Sequence, residues 1–207
     1  MKSFSTLMGK QTLLPIIQAD SVEQGLNIAK AMASAGINLV EVVLRTPVSL
    51  DIIKALKSEL PELKVGAGTV FDAETLKKAL DAGSDFIITP TISNKLLTEL
   101  ANCTVPVVPG VSNSADILLA IEFGYTELKL FPASLSGGTP FLKAMGSVFK
   151  GISFCPTGGI NESNQQEYLA LTNVFAVGGT WIAKSDWVES CQWSKITSAC
   201  RAAQDVN

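Results

Sequence analysis

Lys129 carries a charge into apolar surroundings. In ELKLFPAS (127–134), Leu128, Leu130 and Phe131 read as a short buried strand, and an ammonium group buried there is costly without a partner. Glu41 raises the same question in LVEVVLRTP (39–47). Side chains alternate along a strand, so both can point to one interior. Burial disfavours the charged form of an amine, and only a neutral amine attacks a ketone. The chemistry on offer is an imine. Lys129 would be the nucleophile, and the protonated imine an electron sink for breaking a neighbouring carbon–carbon bond. Glu41, the acidic side chain embedded in a strand core, would be the base that takes a hydroxyl proton. Two blander arrangements use the same residues: a structural buried ion pair, or two outward-facing residues at helix–strand boundaries.

The glycines tip the balance toward chemistry. PTGGI (156–160) and VGGTW (177–181) each follow an apolar run. A phosphate needs several backbone N–H groups converging on it, and glycine permits that approach. Thr157, Gly158 and Gly159 in one loop and Gly178, Gly179 and Thr180 in the other meet this need. Arg45 directly follows the Glu41 run, and arginine binds a carboxylate through two parallel hydrogen bonds. The chain has only one other arginine, Arg201, expected to be solvated in a C-terminal helix. GAGT (66–69) places Thr69 at the end of a further run, with its hydroxyl expected on the pocket floor.

Composition removes other chemistries. There is no histidine among the 207 residues, which excludes a Ser-His-Asp triad, a Cys-His pair and any His-containing metal site. Cys103, Cys155, Cys191 and Cys200 form no C-x-x-C pair and are read as reduced structural thiols. A net charge of −3 gives no electrostatic case for nucleic acid or an anionic membrane. No apolar run approaches the roughly 18 residues of a membrane span. The N-terminus lacks the apolar core of a signal peptide, so a cytoplasmic location is expected and the sequons at Asn102 and Asn161 are chance matches.

These residues must be positioned by a repeating scaffold. Eight apolar runs recur along the chain, at 13–18, 38–44, 64–70, 85–90, 105–111, 127–133, 152–160 and 174–182. Between them lie stretches with helical periodicity. SVEQGLNIAKAMASAG opens on a serine and stops at Gly36; DAETLKKALDAG begins at Asp72 and stops at Gly83; SADILLAIEFG begins near Ser114 and stops at Gly124. Alternating strand and helix imply a parallel sheet. Eight such units predict a single α/β domain over 1–207, a closed (β/α)8 TIM barrel, with a short helix at 3–10 capping its bottom. Catalytic groups in this fold sit at the C-terminal strand ends, with phosphate sites after strands seven and eight. The two Gly-Gly loops occupy those positions.

With these residues in place, the chain resembles a known family. EVVLRTP, GAGTV, LKLFPA, PTGGI and VGGTW, in this order from about residue 13 to 183, are together similar to the bacterial 2-keto-3-deoxy-6-phosphogluconate aldolases, also called 4-hydroxy-2-oxoglutarate aldolases. The resemblance implies a homotrimer of barrels that uses no metal and no organic cofactor. It implies Lys129 as the Schiff-base lysine and Glu41 as general acid/base. Arg45, Thr69 and Pro90 would contact the pyruvyl part, and Thr157, Gly158, Gly159, Gly179 and Thr180 would surround the phosphate. The implied reaction cleaves the phosphorylated keto acid to pyruvate and glyceraldehyde 3-phosphate, and 4-hydroxy-2-oxoglutarate to pyruvate and glyoxylate. Two positions depart from relatives. Gln18 ends the first run where some members have arginine, which removes a cationic contact. Arg45-Thr46-Pro47 stands where the galactonate-epimer enzyme has an Asn-Ser-Pro-like motif, which favours the gluconate substrate. Competing expectations are a phosphate-binding barrel isomerase or decarboxylase in which Lys129 is only an electrostatic partner, and a catalytically silent binding barrel. Sequence alone assigns no role to Trp181, Trp187 and Trp193.

Overall fold

The structure, a computed structural model, describes residues 3–204. Its strands are short, parallel and buried. Five of them, β1 (Leu13–Ile17), β2 (Leu39–Val43), β3 (Lys64–Gly68), β4 (Phe86–Ile88) and β5 (Val107–Val108), lie side by side in chain order, and β9 (Val177–Gly179) joins the free edge of β1. A second sheet holds β6 (Gly110–Val111), β7 (Glu127–Leu130) and β8 (Ser153–Phe154). The sequence run at 105–111 is thus two segments, β5 and β6, separated by Pro109. Proline has no N–H for a ladder; its carbonyl instead accepts from the Lys129 N–H at 2.8 Å. Isolated parallel bridges Phe154–Val174 and Thr157–Gly178 link the end of the second sheet to residues around β9.

The helices alternate with these strands and supply the outer cover. The start and stop signals fall where the sequence put them. Helix α2 (Val22–Ala33) is capped by Ser21, whose side chain accepts from the Gln24 N–H. Helix α4 (Ala73–Asp81) is capped by Asp72, and α6 (Ser114–Glu122) by Asn113, one residue ahead of the expected start. Each buries one apolar stripe against the sheet: Ile28, Ala29 and Met32 on α2, Leu76 and Ala79 on α4, Ile117 and Ala120 on α6. Helices α3 (Ser49–Glu59), α5 (Asn94–Leu100), α7 (Gly138–Val148), α8 (Gln165–Leu169), α9 (Ser185–Glu189) and α10 (Trp193–Gln204) complete the alternation.

A second apolar cluster lies on the other side of the strands. It gathers Phe4 and Met8 with Leu14, Leu39, Phe86, Ile88, Val108, Cys155 and Ala176. Phe4 and Met8 belong to α1 (Phe4–Met8), the N-terminal helix expected at 3–10. Phe4 packs on Phe86 with ring centroids 4.8 Å apart. Glu127, at the start of β7, accepts from the Phe4 N–H at 2.6 Å, the Ser5 N–H at 3.2 Å and the Ser3 hydroxyl at 2.9 Å. The carboxylate satisfies N–H groups that the first helical turn leaves unpaired, and so ties α1 to the strand that carries Lys129. Gln11 does similar work between β1 and β2: its Nε2 donates to the Leu13 and Leu39 carbonyls and its Oε1 accepts from the Asn38 and Leu39 N–H groups.

Candidate active site

Glu41 occupies the middle of β2, paired with Ile16 of β1 and Gly66 of β3. Lys129 occupies β7, opposite Gly110 of β6. Strand alternation turns both side chains to the same interior, where Lys129 Nζ lies 3.2 Å from Glu41 Oε1. The lysine side chain is 6% exposed and the glutamate 0%. The pair is therefore desolvated together, and each charge compensates the other. Glu41 Oε2 has no hydrogen-bond partner. A buried carboxylate oxygen with unused lone pairs is unusual and is free to receive a proton. The Lys129 ammonium also lies 5.2 Å from the centroid of the Phe131 ring.

Room for the carboxylate comes from β3. A side chain at Gly68 would overlap Glu41 Oε1 and place a methyl 2.7 Å from its Cδ and 2.8 Å from its Cγ. Gly68 is thus the notch into which the carboxylate fits. Beside the pair, burial pushes the Cys155 thiol up to about 12, with the Lys129 charge pulling weakly the other way. It is an inert apolar neighbour at that height.

A cavity of about 140 Å³ opens above the lysine, lined by Ile16, Val43, Arg45, Lys129, Phe131, Thr157, Gly158, Gly159, Ile160, Gly179 and Thr180. Seven of the eleven residues singled out from sequence meet there. The other four, Glu41, Thr69, Pro90 and Gly178, lie outside that lining. Glu41 sits under it, against Lys129. Thr69 lies beside it at a φ of 64°, and its hydroxyl accepts from Arg45 Nε at 3.2 Å, so it orients the guanidinium instead of lining the cavity. Pro90 packs close to Gly110, the Cα partner of Lys129. Thr157 is buried, with its hydroxyl 3.5 Å from the Cys155 carbonyl.

The PTGGI loop is shaped for an anion. Gly158 and Gly159 have φ of 94° and 79°, conformations that L side chains rarely adopt. A side chain on Gly159 would also strike Ser134 Oγ. Their carbonyls turn away: Gly158 O accepts from the Ser134 N–H and Gly159 O from Asn164 Nδ2. Among the described residues, the Gly158 and Gly159 N–H groups donate to no backbone carbonyl. Successive free amides in such a turn form an anion-binding concavity. One end of the cavity thus offers backbone donors, and the other offers Arg45 and the Lys129–Glu41 pair. An amine poised beside a carboxylate, an anion cradle and a guanidinium suit a keto acid carrying a second anionic group.

A family model for KDPG and KHG aldolases matches residues 5–199. The chain belongs to that family. It is 41% identical over 191 residues to the 2-dehydro-3-deoxy-phosphogluconate aldolase of Pseudoalteromonas atlantica, covering 92% of this chain and 89% of that one. It is 36% identical over 201 residues to the KHG/KDPG aldolase of Escherichia coli K12, covering 97% and 94%. Among solved structures, the KDPG aldolase of Legionella pneumophila, with pyruvate captured at low pH as a covalent carbinolamine intermediate, superimposes with a TM-score of 0.94 at 36% identity, over 97% of this chain and 98% of that one. The protein is an aldolase, a carbon–carbon lyase. Among the described residues, no helix of the aldolase is long and apolar enough to cross a membrane.

Several features of the aldolase site had no sequence signal strong enough to name them. Gly68 was legible only as part of a glycine-containing strand end. Ile16, Val43 and Ile160 are apolar walls that any buried strand end could supply. Trp181 closes against Gly179, where a side chain would overlap its ring. All three tryptophans are partly buried and pack on the main core. Gln18 is exposed and lines a neighbouring cavity, not the one above Lys129.

Proposed function

We propose that Lys129 and Glu41 cleave 2-keto-3-deoxy-6-phosphogluconate by an imine mechanism. Lys129 passes a proton to Glu41, and the neutral amine adds to the C2 ketone to give a carbinolamine; Glu41 returns the proton as the carbinolamine loses water, leaving the iminium and the Glu41 carboxylate. Glu41 removes the C4 hydroxyl proton. The C3–C4 bond breaks, its electron pair enters the iminium to give an enamine, and C4 departs as the aldehyde of glyceraldehyde 3-phosphate. Protonated Glu41 returns its proton to C3, water adds to the iminium, and pyruvate leaves with the amine restored. The same steps convert 4-hydroxy-2-oxoglutarate to pyruvate and glyoxylate. Arg45, held by Thr69, binds the pyruvyl carboxylate, with Pro90 bounding that end. Thr157, Gly158, Gly159, Gly179 and Thr180 receive the phosphate.

The observation that carries this reading is the 3.2 Å approach of Lys129 to Glu41, both buried, at the floor of the cavity. Geometry also supports a closed eight-stranded barrel over one domain: β5 and β6 flank Pro109 as two parts of one strand, and the Phe154–Val174 and Thr157–Gly178 bridges join the two sheets on the other side. Arg45-Thr46-Pro47 favours the gluconate epimer. Leu135, Val148 and Phe71 are large, apolar and exposed, surface that a homotrimer would cover, and a cytoplasmic location fits a sugar-acid lyase. Substituting Lys129→Arg tests the roles. Arginine keeps the positive charge beside Glu41 but stays protonated and cannot attack a ketone. The expected result is a folded protein that releases no pyruvate from either phosphorylated epimer or from 4-hydroxy-2-oxoglutarate. Retained turnover would remove the imine from the reaction.

A further inference from the structure

Thr89 directly follows β4 and is 0% exposed. None of the catalytic steps uses it, yet a polar side chain sealed from water needs a reason. Its hydroxyl meets the fifth strand. Up to Val108 that strand pairs with β4 through the backbone. Ile87 and Ile88 stand opposite Val107 and Val108, and the Thr89 N–H donates to the Val108 carbonyl at 3.3 Å. In an evenly spaced parallel ladder the next rung would run from the Gly110 N–H to the Thr89 carbonyl. It runs instead to the Thr89 hydroxyl, at 2.9 Å. The bond is buried, and a buried N–H must be paired. Backbone is close here too: a side chain on Gly110 would overlap the carbonyl groups of Thr89 and Pro90.

The other edge of the same peptide unit faces Lys129. The Pro109 carbonyl and the Gly110 N–H belong to one planar group, and in a trans peptide they point to opposite sides. The carbonyl accepts from the Lys129 N–H at 2.8 Å, and Gly110 is the Cα partner of Lys129. On its far edge β7 is held through the neighbours of Lys129, whose Leu128 and Leu130 carbonyls accept from the Cys155 and Thr157 N–H groups. The Lys129 N–H is held by Pro109. A single rigid plate is thus gripped by Thr89 on one side and grips the lysine backbone on the other. The ammonium at the end of that side chain stands 3.2 Å from Glu41. We infer that Thr89 is a positioning residue: its hydroxyl, acting through the Pro109–Gly110 peptide, sets where the Lys129 amine stands relative to Glu41. The inference rests on Lys129 being the nucleophile.

Thr89→Val keeps the shape and removes the acceptor. Saturating pyruvate with sodium borohydride traps the imine, and the rate at which the Lys129 adduct accumulates reads the placement of the amine separately from stability. At a temperature where circular dichroism shows the variant folded, the trapping rate and kcat should each fall about tenfold, part of the roughly 100-fold that a 1 Å misplacement costs. KM should change little. Thr89→Ser restores the oxygen and should trap at the native rate. A merely structural threonine would lower the thermal midpoint and leave trapping untouched. That result, or a Thr89→Ser protein as slow as Thr89→Val, overturns the inference. Should Thr89→Val not fold, Thr89→Ala against Thr89→Ser decides, because those two side chains differ by the hydroxyl oxygen alone. A native protein that gives no adduct would remove the imine reading, and this inference with it; a native adduct with an unchanged Thr89→Val rate removes this inference only.

Discussion

Gly68→Ala places one methyl group where Glu41, the proposed base, stands. Gly68 is not at positive φ, so alanine fits the backbone, and the whole effect comes from side-chain overlap. The new Cβ would lie 2.7 Å from Glu41 Cδ and overlap Oε1. Non-bonded carbons rest at about 3.5–4.0 Å, so the carboxyl group must retreat by about 1 Å. Neighbouring Gly66 cannot absorb the change, since the Phe86 ring fills the space over it. A misplacement of that size at a catalytic group costs about 100-fold, or about 2.7 kcal/mol of transition-state stabilisation. Pyruvate release from the phosphorylated substrate, followed in a coupled assay, should fall by that factor in kcat. Imine formation with pyruvate alone should survive, because the Lys129 amine is not displaced by the methyl itself. A folded Gly68→Ala protein with kcat within threefold of native would refute the claim that Glu41 acts from the position seen here.

Three further outcomes follow. Glu41→Gln keeps the shape but cannot take a proton; pyruvate imine should still form while kcat drops by about 100- to 10,000-fold, the usual contribution of a general base. Gly159→Ala, strained at a φ of 79° and blocked by Ser134, should raise KM for the phosphorylated substrate roughly tenfold and leave KM for 4-hydroxy-2-oxoglutarate nearly unchanged. Alkaline pH should unfold the protein through its buried acids. Burial raises Cys155 and Cys200 from 9.0 to about 12 and Tyr125 from 10.0 to about 12. Below pH 9 both states hold these protons; from pH 9 toward 12 the unfolded chain loses them first, so stability falls as pH rises. The thermal midpoint should decline across that window, and a Cys155→Ala, Cys200→Ala double variant should flatten the decline.

What the sequence revealed and what it hid divide along physical lines. Lys129 and Glu41 were visible because a charge in an apolar run is rare enough to need a reason. Helix caps at Ser21 and Asp72 were visible because a side-chain oxygen must meet the first free N–H groups. The PTGGI turn was visible because two glycines in succession permit backbone that other residues resist. Gly68 was hidden because its function is an absence: the carboxylate that needs the gap belongs to Glu41, 27 positions away, whose side chain reaches past its own register partner Gly66. Thr69 was placed on the pocket floor, whereas its hydroxyl is committed to Arg45. The split of the fifth run at Pro109 was written in the residue type but not in the hydrophobic pattern.

The most direct measurement is reductive trapping. The native protein is incubated with pyruvate and sodium borohydride, digested and mapped by mass spectrometry. One reduced pyruvyl group on the peptide carrying Lys129, with matching loss of aldolase activity and no adduct in Lys129→Arg, is the predicted result. Full activity after treatment, or an adduct on any other lysine, would contradict the covalent role of Lys129.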